Sequence, residues 1–86
     1  MISDPKVIDK ILELCRERGI GKTICPSEVA RALEPDLERW RSHLPSVRAR
    51  AAELAEAGQI AIYRKGRAIE PSKMKGVIRL GLPKST

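Results

Sequence analysis

The chain has 86 residues, with 17 Lys/Arg against 11 Asp/Glu for a net charge of +6, and 2% aromatic residues. A chain of this size buries only about 60 to 65% of the surface that its unfolded form exposes, which gives one domain over residues 1–86 with a small core and no deep catalytic pocket. No apolar run approaches the ~20 residues of a membrane span, and Met1-Ile2-Ser3-Asp4-Pro5 lacks the basic start and apolar stretch of a secretory signal, so a cytoplasmic location is expected.

The charge is unevenly placed. Residues 1–38 carry six Lys/Arg against eight Asp/Glu, while residues 39–86 carry eleven against three. A basic half on a small domain is the electrostatic footprint of a surface that meets phosphates, because each cation set near a nucleic-acid backbone releases a condensed counterion.

Ser3 or Asp4 is placed to cap a first helix with Pro5 at its first helical position, where a missing N–H costs nothing. Val7, Ile8, Ile11, Leu12 and Cys15 then recur at helical spacing, and Gly19 ends the helix. Thr23-Ile24-Cys25 reads as a very short strand before a second helix, Pro26 to Leu33, whose apolar side is Val29, Ala30 and Leu33. Cys15 and Cys25 are expected as small apolar residues and not as a disulfide.

Pro35 stops the second helix and Asp36 can cap a turn carrying Leu37, Trp40, Arg41 and Leu44. A third helix is expected over Pro45 to Ala57, ended by Gly58, with Val47, Ala51, Leu54 and Ala55 buried. Gln59 to Tyr63 and Val77 to Leu82 alternate as two strands. Between them the Lys/Arg-rich stretch Arg64 to Gly76, broken by Gly66, Pro71 and Gly76, reads as an extended loop of the kind called a wing.

This order gives an α+β fold, a winged helix-turn-helix of three helices with a C-terminal two- to three-stranded β wing. The residues Gly21-Lys22-Thr23-Ile24-Cys25-Pro26-Ser27-Glu28-Val29-Ala30-Arg31-Ala32-Leu33, Trp40-Arg41, Pro45-Ser46-Val47-Arg48, Gly66-Arg67 and Gly76-Val77-Ile78-Arg79-Leu80 carry a resemblance to a known group. The chain resembles a small bacterial family of uncharacterised winged-helix domains, a domain of unknown function. The resemblance implies the fold and supplies no activity.

In a helix-turn-helix protein the third helix enters the major groove. Stepping about 100° per residue, its outward arc holds Pro45, Ser46, Ala49, Ala52, Glu53 and Glu56, with Arg48 and Arg50 on the flanks. That arc has no Asn or Gln to pair with adenine, so base reading is poor. The positive charge lies before the helix at Arg39 and Arg41, in the wing, and at Arg79 on the last strand. Arg41, Ser46, Arg48, Arg64, Lys65, Arg67, Lys73 and Lys75 are therefore the candidate nucleic-acid contacts, gripping phosphates and setting position more than reading sequence. Ser27, at the start of the second helix, is a weaker candidate for a phosphate at a helix terminus.

The reading is a double-stranded DNA-binding module of transcription-regulator type. The competing reading is a protein-interaction or structural module, in which the Ala49/Ala52 face seats a partner helix or a second copy. Single-stranded ligands are disfavoured because Trp40 and Tyr63 are too few for a stacking platform. No enzyme, cofactor or metal is expected. His43 has no nucleophile–base partner nearby, Cys15, Cys25 and His43 lack ligand spacing, and Gly21-Lys22-Thr23 lacks the upstream glycine of a phosphate-binding loop.

Overall fold

A computed structural model of the protein describes residues 3–83. Met1 and Ile2, which begin the segment read above for a signal, lie outside the described residues.

Helix α1 spans Asp4–Arg18, with Ser3 at its N-cap and Pro5 in the first turn. It stops where Gly19 turns to φ +87, its N–H donating to the Cys15 carbonyl at 3.0 Å. Strand β1 (Thr23–Ile24) and helix α2 (Pro26–Leu33) follow. The start of α2 is held by Glu28, whose carboxylate accepts the Cys25 N–H at 2.7 Å and pairs with Arg18, also at 2.7 Å. One acidic residue thus caps α2 and ties it to the end of α1.

The predicted turn after Pro35 is present. Asp36 accepts from the Glu38 N–H at 2.8 Å, and the chain then winds as a 3-10 turn over Trp40–His43 into α3 (Leu44–Glu56). Strands β2 (Ala61–Arg64), β3 (Arg67–Ile69) and β4 (Arg79–Gly81) complete one antiparallel sheet in the order β1-β4-β2-β3.

The register sorts the side chains by the period of two along each strand. Ile24, Leu80, Ile62 and Ile69 stand in one row across the sheet, and the first three of them are fully buried. Against this row pack Val7, Ile11 and Cys15 of α1, Val29 and Ala30 of α2, and Val47, Ala51 and Leu54 of α3, which make one core. Thr23, Gly81, Ala61, Tyr63 and Arg79 fall on the other face.

Two expectations need correction. The sheet has four strands where two or three were expected, and residues 64–76 are not an open loop. The chain turns at Lys65-Gly66, both at positive φ, and returns along the outer edge of β2 as β3. A second 3-10 turn, Pro71–Lys73, then packs on α3 before β4 enters on the other edge of β2. Strand β3 escaped the pattern because it has three residues, of which only Ile69 faces the core. Its partner and its turn create it. The other two strands are also shorter than read, since Gln59, Ile60, Val77 and Ile78 lie outside the pairing.

Gly81 lets β1 and β4 close. A Cβ there would sit 2.8 Å from the Lys22 carbonyl oxygen and 3.3 Å from the Tyr63 ring, and backbone on one side cannot yield cheaply. Gly81→Ala is expected to cost about 1–3 kcal/mol, as other overpacked sites do, and to lower Tm by about 4–8 °C per kcal/mol in a domain of this size. An unchanged melt by circular dichroism would show that the strands part without penalty.

Both cysteines are free. Cys15 is buried, and burial pushes its thiol from 9.0 up to about 11, so it stays protonated where an ordinary thiol begins to ionise. Thiol titration of the native protein near pH 8 should therefore label Cys25 and spare Cys15 until denaturant is added. Equal rates for the two would contradict the burial.

Candidate anion-binding groove

The outer face of the sheet forms one side of an open groove of about 780 Å³. Three loops bring charge to it. The turn before β1 contributes Lys22, the β2–β3 hairpin contributes Arg64 and Lys65, and the segment entering β4 contributes Lys75 and Arg79. No acidic side chain lines it among the described residues. The backbone at Gly21, Gly66 and Gly76 leaves its rim open, and Val77, 84% exposed, stands beside the cations as an apolar wall.

Local chemistry fixes several of these groups. Arg79 donates from Nε to Thr23 Oγ1 at 2.7 Å and from a terminal nitrogen to the Thr23 carbonyl at 3.1 Å. Both acceptors are neutral, so the guanidinium is held in place with its charge intact. Tyr63 lines the groove but is only 9% exposed, and it donates its hydroxyl to the Leu82 carbonyl at 3.3 Å, which holds its ring against the sheet.

The hairpin tip is costly by itself. Lys65 holds φ +51, a conformation that suits Asn or Gly far better than Lys. Arg64 and Arg67 stand directly opposite each other in the register, and like charges placed so repel. A sequence that keeps three cations on one tight turn at that expense gathers positive charge there.

The eight residues singled out by sequence do not form one site. Arg64, Lys65 and Lys75 meet in the groove, while Arg67 sits on the exposed edge strand and Lys73 on the 3-10 turn against α3. Ser46 is half-buried in the first turn of α3. Arg41 lies over the Trp40 ring at 4.9 Å. Arg48 is half-buried and donates one N–H to the neutral Gly76 carbonyl at 3.0 Å, which ties the segment before β4 to α3. Arg50, the other flanking arginine, pairs with Asp4 at 2.6 Å and Glu53 at 3.0 Å.

Other residues have plainer roles. Ser27 turns its hydroxyl to the Cys25 sulfur at 3.0 Å, and His43 lies 3.5 Å from Glu34. Sequence reasoning counted Arg79 among the phosphate-gripping cations, though not among the eight candidate contacts, and left Lys22 out altogether. The signal for Arg79 was its place in the alternating run Val77 to Leu82, where it faces opposite to the buried Ile78 and Leu80. Nothing in the sequence pointed to Lys22, because only pairing of β1 with β4 carries its turn to the groove.

A family model described as "Protein of unknown function (DUF3253)" matches residues 4–83. No curated protein matches the chain.

The tether between wing and α3 is testable. Removing the donor by Arg48→Ala should cost about 1 kcal/mol, the usual worth of one such bond, and should speed amide exchange through residues 74–77. Unchanged protection there would show that packing of Pro71 and Met74 holds the wing without the bond.

Proposed function

We propose that this chain, which belongs to the DUF3253 family, is a winged-helix module that grips the phosphate backbone of double-stranded DNA. The element order supports the fold reading: three helices with a short strand between the first two, then a strand, a wing, and a returning strand that slots between β1 and β2. On this reading the wing is residues 65–78, folded back on itself through β3.

The observation that carries the function is the groove, with five cations from three loops and no facing acid among the described residues. Its positive charge is uncompensated and partly fixed in place, so a polyanion gains from counterion release without paying to order every side chain. Helix α3 contributes little to reading sequence. Its exposed positions, Pro45, Ala49, Glu53 and Glu56, carry no cation, and its two arginines are bound internally. The contact is thus one of backbone grip with weak specificity, suited to a regulator that relies on a neighbouring module or on DNA shape for its address.

Trp40 and Tyr63 are buried, so unpaired bases find no exposed ring to stack on. Duplex is preferred to single strand for that reason. Fluorescence anisotropy with a labelled duplex of mixed sequence should show binding at about 50 mM salt that falls steeply by about 200 mM. Joint reversal of Arg64, Lys65 and Lys75 to Glu should weaken it for all sequences and flatten the salt slope by about one per lost contact. Absence of binding at the lower salt would overturn the reading and return weight to a partner seated on Ala49 and Ala52.

A further inference from the structure

The one tryptophan of the chain has two guanidinium groups over its ring. Trp40 opens the 3-10 turn before α3 and is 7% exposed, buried between α2 and α3. The Arg31 guanidinium, from α2, lies 4.5 Å from its ring centre and that of Arg41 lies 4.9 Å away. Stacking on an indole face stabilises each guanidinium and fixes its plane. Neither forms a salt bridge among the described residues, whereas Arg18, Arg39 and Arg50 each have a carboxylate. Two like charges are therefore held on one ring, and no carboxylate lies within ion-pair distance of either among the described residues.

We infer that Arg31 and Arg41, stacked on Trp40, form a second phosphate clamp, set at the α2–α3 connection and separate from the groove. The inference rests on the DNA reading above and extends it to a further site. Three features of the stack point to a phosphate and not to a carboxylate-free core contact. Both guanidinium groups belong to exposed residues, so their N–H edges remain open to solvent. Both are planar forks whose orientation the ring has already set, so a bidentate anion meets them at small entropic cost. Their separation is bounded by the two stacking distances taken end to end, which is within the reach of one phosphate or two neighbours on a strand. None of the groove-lining residues belongs to α2 or to the turn at Trp40–His43. Two separate anion sites on so small a domain favour an extended polyanion over a small one.

Trp40 makes the inference directly readable, because it is the only tryptophan. The test uses the full chain and a duplex of about two helical turns. Anisotropy of labelled duplex reports binding anywhere, and Trp40 emission with unlabelled duplex reports the stack alone. The expected result is an emission change that saturates together with the anisotropy. Arg31→Gln and Arg41→Gln should each weaken binding several-fold and lower the salt slope by about one, with melting temperatures close to that of the parent. Rising anisotropy with constant Trp40 emission, and unchanged slopes in both variants, would overturn the clamp and leave the groove as the contact. No anisotropy change at about 50 mM salt would remove the DNA reading and the clamp with it. The emission arm needs no variant, so a substitution that fails to fold does not spare the inference.

Discussion

Everything on the outer face of this protein depends on β4 fitting between β1 and β2. Three residues, Arg79 to Gly81, pair on both sides at once, and they do so only because Gly81 offers no side chain to the Lys22 carbonyl. That insertion brings two chain segments far apart in sequence, around residue 22 and around residue 64, to the two flanks of one strand. It also forces residues 65–78 to leave on one edge of β2 and come back on the other. The excursion over residues 65–78 is the geometric consequence of where β4 sits, and the groove is the space that this detour leaves open.

The arginines show how the same residue type is divided between structure and surface. Arg18, Arg48 and Arg50 each close a contact between elements, joining α1 to α2, α3 to the wing, and α1 to α3. The exposed pairs among these are weak one by one; carboxylates offset the charge of Arg18 and Arg50, whereas Arg48 meets a neutral carbonyl. Arg31, Arg41, Arg64 and Arg79 are positioned by neutral groups: an indole ring, a hairpin, a threonine. Their charge is ordered without being cancelled. Formal charge on the chain therefore overstates the basic surface in one place and understates its organisation in another.

That division explains what could be read from the residues alone. Helix ends were set by local chemistry, with Pro5, Gly19, Pro26 and Asp36 acting as starts and stops, and the three helices stand where their periodicity put them. The core stripe Val47, Ala51 and Leu54 follows from 3.6-residue spacing in the same way. Strand β3 did not follow, because three residues carry no period and its existence depends on β2 as a partner. The site was half visible. Arg64, Lys65 and Lys75 are close in sequence and announce a basic wing, whereas Lys22 reaches it through strand pairing, and Arg48 leaves it through a hydrogen bond to a carbonyl that no side-chain pattern records. Long-range pairing and side chain to backbone bonds are the two terms that composition and periodicity omit.

The uneven charge of the two halves takes on a sharper sense once the fold is known. The acidic N-terminal part still supplies Lys22 and Arg31 to the basic surface, while its carboxylates at Asp4 and Glu28 are occupied with Arg50 and Arg18. Pairing removes negative charge from the surface as effectively as it removes positive charge. Among the described residues, cations without an ion pair gather in the groove, which no acid lines, and on the Trp40 ring. A helix-turn-helix protein that read bases would concentrate free donors on the outward face of α3. Here the exposed positions of α3, Pro45, Ala49, Glu53 and Glu56, carry no cation, and free donors lie elsewhere, in the sheet groove and at the α2–α3 connection. On the proposed DNA reading, such an arrangement holds a backbone and leaves the bases to something else.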